Sequence, residues 1–247
     1  MVFERIPTNE ERRTLIACAL VATWWTEPSQ RRLFSSVKIR HDNYERWMNG
    51  VVYSGSKDRL LGYVRSMWHS VNPFTRDDEQ FRMQILPGFS GEYLSALHNL
   101  RRLMLRLIIV EHIREEGFRT CFSAFRETLT YLSLGGFTTA PFSAFVALVD
   151  YFLNVTTLQL EPAFASILEE GSVPAFSRPP RGRLIVYEVQ VDNLGFFNRF
   201  ASLDLEYEEL IIASHFPFMG TKFAESVLQI STSTVKFLKL VRGFRRE

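Results

Sequence analysis

Leu100-Arg-Arg-Leu103-Met-Leu105 is followed, 29 residues later, by Leu129-Thr-Tyr-Leu132-Ser-Leu134. Both read apolar, two of any kind, apolar, one of any kind, apolar. The last two apolar positions are two apart, so they fall on one side of a short strand. The pattern recurs as Phe34-Ser-Ser-Val37-Lys-Ile39, Val155-Thr-Thr-Leu158-Gln-Leu160, Leu184-Ile-Val-Tyr187-Glu-Val189 and Val235-Lys-Phe-Leu238-Lys-Leu240. Weaker copies start at Val64, with Met67 and His69, and at Tyr207, with Leu210 and Ile212. Phe200-Ala-Ser-Leu203-Asp-Leu205 competes for the latter place. Successive starts are separated by 30, 36, 29, 26, 29, 23 and 28 residues, close to the length of one strand–helix unit.

Helical stripes fall between the copies. Tyr44, Trp47, Met48, Val51 and Val52 lie on one helix face, as do Phe118, Cys121, Phe122 and Phe125, and Phe142, Phe145, Val146 and Val149. Phe223, Val227 and Ile230 form a thinner stripe. Repetition of strand, turn and helix, each with one apolar face, predicts an α/β solenoid of stacked units. A doubly wound sheet shares the alternation, but its central strands are covered on both faces and read as unbroken apolar runs. Here alternate strand positions are polar. Asn72 to Gly91 and Glu169 to Arg183 interrupt the rhythm with Pro, Gly, Ser and charge, and read as loops.

Composition narrows the function. A net charge of +2 over 247 residues provides no broad field for nucleic acid or a membrane surface, and neither partner is expected. Cys18 and Cys121 are too few and too far apart for a disulfide framework or a zinc site, which suggests a reducing, cytoplasmic or nuclear setting. Thr14 to Trp25 is apolar but too short to span a bilayer, and Glu4, Glu10 and Glu11 before it do not suit a secretory leader. Leu129 to Leu153 reads as strand, turn and helix. The sequon at Asn154 falls where a strand is expected.

Catalytic signatures are missing. There is no phosphate-binding glycine loop, and Gly88-Phe89-Ser90-Gly91 lacks the spacing of a nucleophile elbow. His41, His69, His98, His112 and His215 are scattered. The carboxylate runs Asp77-Asp78-Glu79 and Glu206, Glu208, Glu209 read as solvated faces. Neither enzymatic activity nor a cofactor or metal is expected.

The N-terminal residues resemble the second half of an F-box: an apolar helix, Leu15 to Trp25, ending in a Val-x-x-x-Trp run (Val21 to Trp25), then a short helix from Glu27 to Leu33-Phe34. Phe34 to Ile39 looks like the first strand of the degenerate leucine-rich repeats that follow the F-box in proteins abundant in fungi. The resemblance implies a leucine-rich-repeat-like solenoid over 34–247 behind an F-box remnant over 1–33. It also implies docking to a Skp-type adaptor of a cullin–RING ubiquitin ligase, with the repeats choosing a protein substrate. Ile6, Leu15, Leu20, Val21, Trp25 and Leu33 would line the adaptor surface. An F-box opens with a Leu-Pro pair and a full first helix, and this sequence starts near the end of that helix. Weak or absent adaptor binding is therefore expected, the alternative being an interaction scaffold without a ligase link.

Two structural expectations follow. Leu20, Val21, Trp25, Leu33 and Phe34 should form an apolar plug that caps the first repeat. With the leucines turned inward, the concave face should carry Ser36, Lys38 and Arg40, then Ser66 and Trp68, then Arg102, Met104 and Arg106, then Tyr131 and Ser133. Thr157, Gln159 and Glu161 should follow, then Val186, Glu188 and Gln190. An exposed Trp68 with Arg102, Arg106 and Tyr131 would contact an acidic segment of a partner. Charge reversal at Arg102 and Arg106 should abolish capture without lowering stability.

Overall fold

The computed structural model describes residues 8–21, 23–70, 94, 96–106, 122–135, 142–161, 175–187, 194–203, 205–214 and 234–242. Two helices, α1 (Asn9–Val21) and α2 (Thr23–Phe34), precede strand β1 (Ser36–Arg40). Next come α3 (His41–Trp47), widened into a π turn over Met48–Val52, α4 (Lys57–Leu61) and β2 (Ser66–Ser70). The later strands are β3 (Arg102–Arg106), β4 (Tyr131–Gly135), β5 (Thr157–Glu161), β6 (Arg181–Tyr187), β7 (Glu206–Ser214) and β8 (Phe237–Arg242). Between them lie α5 (Phe142–Tyr151) and α6 (Leu194–Ala201).

All eight strands form one open parallel sheet, ordered β1 to β8 as in the chain. Among the described strands no order reverses, so they show no topological switch point of the kind that places ligands in doubly wound folds. Pairing is in register from β1 to β5. Val37, Met67, Leu103, Leu132 and Leu158 align across successive strands, as do Ile39, His69, Leu105, Leu134 and Leu160. These rows are buried and form the inner layer of a single apolar core.

Phenylalanine fills the space behind the rows. Phe142 and Phe145 of α5 meet Phe196 and Phe200 of α6 edge-on, with Phe145 and Phe196 centroids 5.1 Å apart, and Phe196 stacks on Phe200. Phe122, Phe125 and Phe152 form a second ring cluster. A layer this thick suits large side chains, and Phe122, Phe125, Phe142, Phe145, Phe152, Phe196, Phe197 and Phe200 are all buried in it. The stripes read from sequence at Tyr44–Val52 and Phe142–Val149 are packed on or within this core. Phe122 and Phe125 are buried beside and on a 3₁₀ turn (Ser123–Phe125), and Phe118, Cys121 and the Phe223 stripe lie outside the described residues.

Turns are stitched to the preceding unit by polar side chains. Asn99 Nδ2 donates to the Gly62 carbonyl at 2.7 Å, Thr128 Oγ1 to Leu100 at 2.8 Å and Asn154 Nδ2 to Glu127 at 2.6 Å. Asn154 is thus an exposed turn residue ahead of β5, where a strand was expected. Its amide is occupied holding the turn.

Three other expectations are corrected. α1 ends at Val21 and α2 starts at Thr23, so Trp24, Trp25 and Pro28 all belong to α2. The sixth strand is framed on Leu184 and Val186, which align with Leu158 and Leu160. Val186 is therefore buried instead of outward, and Arg181, Gly182 and Arg183 belong to β6 instead of the loop. A β-bulge at Gly182/Arg183 accompanies that strand. Gly182 has φ of 92°, and a Cβ there would sit 2.4 Å from the Thr156 carbonyl oxygen, so only glycine fits. Of the competing copies near 200, the Tyr207 frame forms the strand. Phe200, Leu203 and Leu205 are buried outside it.

Candidate protein interface

The outward face of the sheet starts from the register. One row runs Lys38, Trp68, Met104, Ser133 and Gln159. A second runs Arg40, Ser70, Arg106, Gly135 and Glu161, and a third Ser36, Ser66, Arg102, Tyr131 and Thr157. Ser36, Ser66, Ser133 and Thr157, expected on this face, are buried. Adjacent side chains in a row are about 4.8 Å apart, the spacing of neighbouring strands. Cations from β1 and β3 therefore reach the rings of β2 and β4.

Lys38 Nζ lies 3.2 Å from the Trp68 ring centroid, and the Arg106 guanidinium carbon is 5.3 Å from the same ring. Arg102 lies 4.5 Å over the Tyr131 ring, whose hydroxyl donates to Gln159 Oε1. Cation–π contacts of this kind contribute about 0.5–2 kcal/mol each and fix ring orientation. Trp68 is consequently half-buried under Lys38 and Arg106, not exposed as expected, and its Nε1 has no hydrogen-bond partner. Burial, with the nearby charges of Arg40 and Arg106, pulls the Lys38 ammonium down to about 8. Burial also raises the Tyr131 phenol, against the pull of Arg102.

The acidic end is internally neutralised. Arg183 pairs with Glu209 at 2.6 Å, Arg181 with Glu206 at 2.7 Å and Lys236 with Glu208 at 3.3 Å. Arg106 crosses the β4 rung to meet Glu161 at 2.9 Å. That reach depends on Gly135, whose missing Cβ would lie 3.1 Å from Arg106 Cγ. Charge reversal at Arg106 would set two carboxylates together, so the expectation that it leaves stability untouched is corrected. The face thus grades from cationic at β1–β3 to paired and near neutral at β5–β8.

The N-terminal helices differ from expectation. Leu20 is 82% exposed, Trp24 72% and Ile16 51%, and Trp25 is also exposed, so these residues do not plug the first strand. Leu33 and Phe34 are partly buried, and Phe34 alone of the expected plug packs on the core. Leu15 is half-buried. Ile6, the Val21 side chain and Glu188 lie outside what the structure describes.

Among the described residues, no helix is long and apolar enough to cross a membrane, and no three His, Cys, Asp or Glu side chains converge on a metal-sized site. His69 takes a leucine position in the inner row, is buried, and is held well below the ordinary histidine range, at about 4, by that burial. The weak copy starting at Val64 places His69 at this position, and the structure shows it buried there. No protein-family model, curated protein or solved structure matches the chain.

Proposed function

We propose that the chain is a non-catalytic protein-binding module: a leucine-rich-repeat-like solenoid whose outward, concave strand face takes an acidic segment of a protein partner. The observation that carries this reading is the cluster of Lys38, Arg40, Arg102 and Arg106 around Trp68 and Tyr131 on β1–β4, with the carboxylates of the same sheet already paired. Pre-oriented rings flanked by cations lose little conformational freedom on binding, and Trp, Tyr and Arg are the usual anchors of protein interfaces. The unbroken chain-order stacking supports a solenoid over a doubly wound sheet. The test is quantitative capture of interacting proteins from cell extract with wild type and K38E/R40E, neither residue being an ion-pair partner in the sheet. A loss of more than about tenfold, with stability lowered by no more than the Lys38–Trp68 contact contributes, about 0.5–2 kcal/mol, supports the face. Equal capture by both proteins rejects it.

Membership of a ubiquitin ligase, as substrate receptor in the cytoplasm or nucleus, is the more specific form of this reading. Exposed Ile16, Leu20, Trp24 and Trp25 favour it over a free scaffold, because clustered exposed apolar side chains usually mark a docking surface. A recombinant Skp-type adaptor whose binding is lost in L20E/W24E would support the ligase link. No binding at tens of micromolar would leave the scaffold reading.

A further inference from the structure

The two ends of the sheet are finished differently. Among the described strands, β1 and β8 each have a neighbour on one side only. Val37 and Ile39 on the inner row of β1 are nonetheless buried, and Phe34 at the end of α2 packs on the same core. The β8 end has no such cover. Phe237, Leu238 and Leu240 are all exposed, Phe237 by 67%. Leu238 and Leu240 continue the inner row from Leu210 and Ile212, and alternation turns Phe237 to the outer face. Apolar side chains thus line both flanks of a strand whose far N–H and C=O groups meet no described strand. Such an edge is a template for one more strand, and a stacked array normally closes with a polar terminal unit.

Charge decides what kind of strand fits. From β6 onward each strand answers its neighbour's charge: Arg181 meets Glu206, Arg183 meets Glu209 and Lys236 meets Glu208. Lys239 breaks the series. It stands on the outer row opposite Ile211, is exposed, and makes no ion pair with a described residue. An edge lysine discourages pairing with another cationic edge and favours a strand that brings a carboxylate. A second copy of this chain has none to offer at either end. Neither β8 (Phe-Leu-Lys-Leu-Val-Arg) nor β1 (Ser-Val-Lys-Ile-Arg) contains Asp or Glu. Continuing the sheet from β8 into β1, with Val37 beside Leu238 and Ile39 beside Leu240, would set Lys38 against Lys239.

We propose that the free edge of β8 accepts an extended segment of another protein as a ninth strand. The segment carries an acidic residue opposite Lys239, between two apolar residues that lie beside Leu238 and Leu240. Main-chain hydrogen bonds supply the affinity and the alternation supplies the selectivity. That pattern reads the same in both directions, so it fits a parallel or an antiparallel segment. The edge is separate from the Lys38–Trp68 face, and the two proposals stand or fall separately.

The test is fluorescence anisotropy of labelled peptides titrated with the full chain. The first peptide is Ser-Thr-Leu-Glu-Leu-Thr-Ser, the second has Lys in place of Glu, and the third has both leucines N-methylated so that it cannot complete a ladder. Wild type should bind the Glu peptide at roughly tens of micromolar, as suits a contact this small. The Lys peptide should bind about fivefold more weakly, from the exchange of an attractive for a repulsive cross-strand pair. K239E should melt as wild type does and reverse that preference. The N-methylated peptide should not bind, and K38E/R40E should bind the Glu peptide as wild type does. No saturable binding of the Glu peptide up to about 1 mM would overturn the proposal. So would an unreversed preference in K239E, equal binding of the N-methylated peptide, or loss of binding in K38E/R40E. Self-association of wild type that L238N/L240N abolishes would also overturn it, by giving the edge to a second copy.

Discussion

Strands β4 and β8 carry the same six-residue pattern and have opposite fates. Leu132 and Leu134 of β4 are fully buried, whereas Leu238 and Leu240 of β8 are 49% and 61% exposed. Yet Leu238 pairs with Leu210 and Leu240 with Ile212 in the same register that unites the interior strands. Alternation therefore determines which way a side chain points, and a neighbouring layer decides whether pointing inward means leaving water. The same lesson applies to Ile16, Leu20, Trp24 and Trp25 of α1 and α2, which are as apolar as the residues of α5 and yet exposed.

Leu132→Ala should reveal the contrast most strongly, at about 2–5 kcal/mol by urea denaturation, because the cavity cannot collapse between two paired strands. Leu238→Ala should cost under about 1 kcal/mol. Equal losses at the two sites would end the distinction between rows and edge.

Acidification probes the interior a second way. His69 has its folded-state pKa lowered to about 4, from an unfolded value near 6.5. Between these values the unfolded chain binds more protons, so stability should fall as pH drops below 6.5 and level off below 4, by up to about 3 kcal/mol. His69→Leu, matching Leu105, Leu134 and Leu160 in the row, should flatten that dependence. An unchanged slope would assign the acid sensitivity to other groups.

Smaller effects sharpen the picture at the outer face and the helices. Gly135→Ala should cost about 1 kcal/mol, by pushing Arg106 off Glu161, and a double-mutant cycle with Glu161→Gln should show that the two losses overlap. Trp25→Ala should cost less than about 1 kcal/mol, since Trp25 is 43% exposed and its ring lies against Trp24, itself in water. A loss of 3 kcal/mol or more would mean that α2 is a structural cap after all.

The sequence made the strand register legible from β1 to β5 because each copy alternates cleanly. β6 was misread for a physical reason. Leu184-Ile-Val-Tyr187 is apolar throughout, so it fits two frames three residues apart, and a shift of three inverts every side chain. Arg181 holds the place where the other copies begin with a hydrophobe, which hides the correct frame. On the candidate face, positions were readable but pairings were not. Nothing in the spacing of Arg106 and Glu161, 55 residues apart, announces an ion pair.

The Arg106–Glu161 bridge has a consequence for how the sheet comes apart. Backbone pairing couples each strand only to the strands on either side, so opening can proceed one rung at a time from an edge. A side chain that skips a rung adds a longer-range tie, and β3, β4 and β5 should resist shear and exchange their amide hydrogens as one block. Fraying that begins at β8 would then halt at β5 before the aromatic–cation face is disturbed.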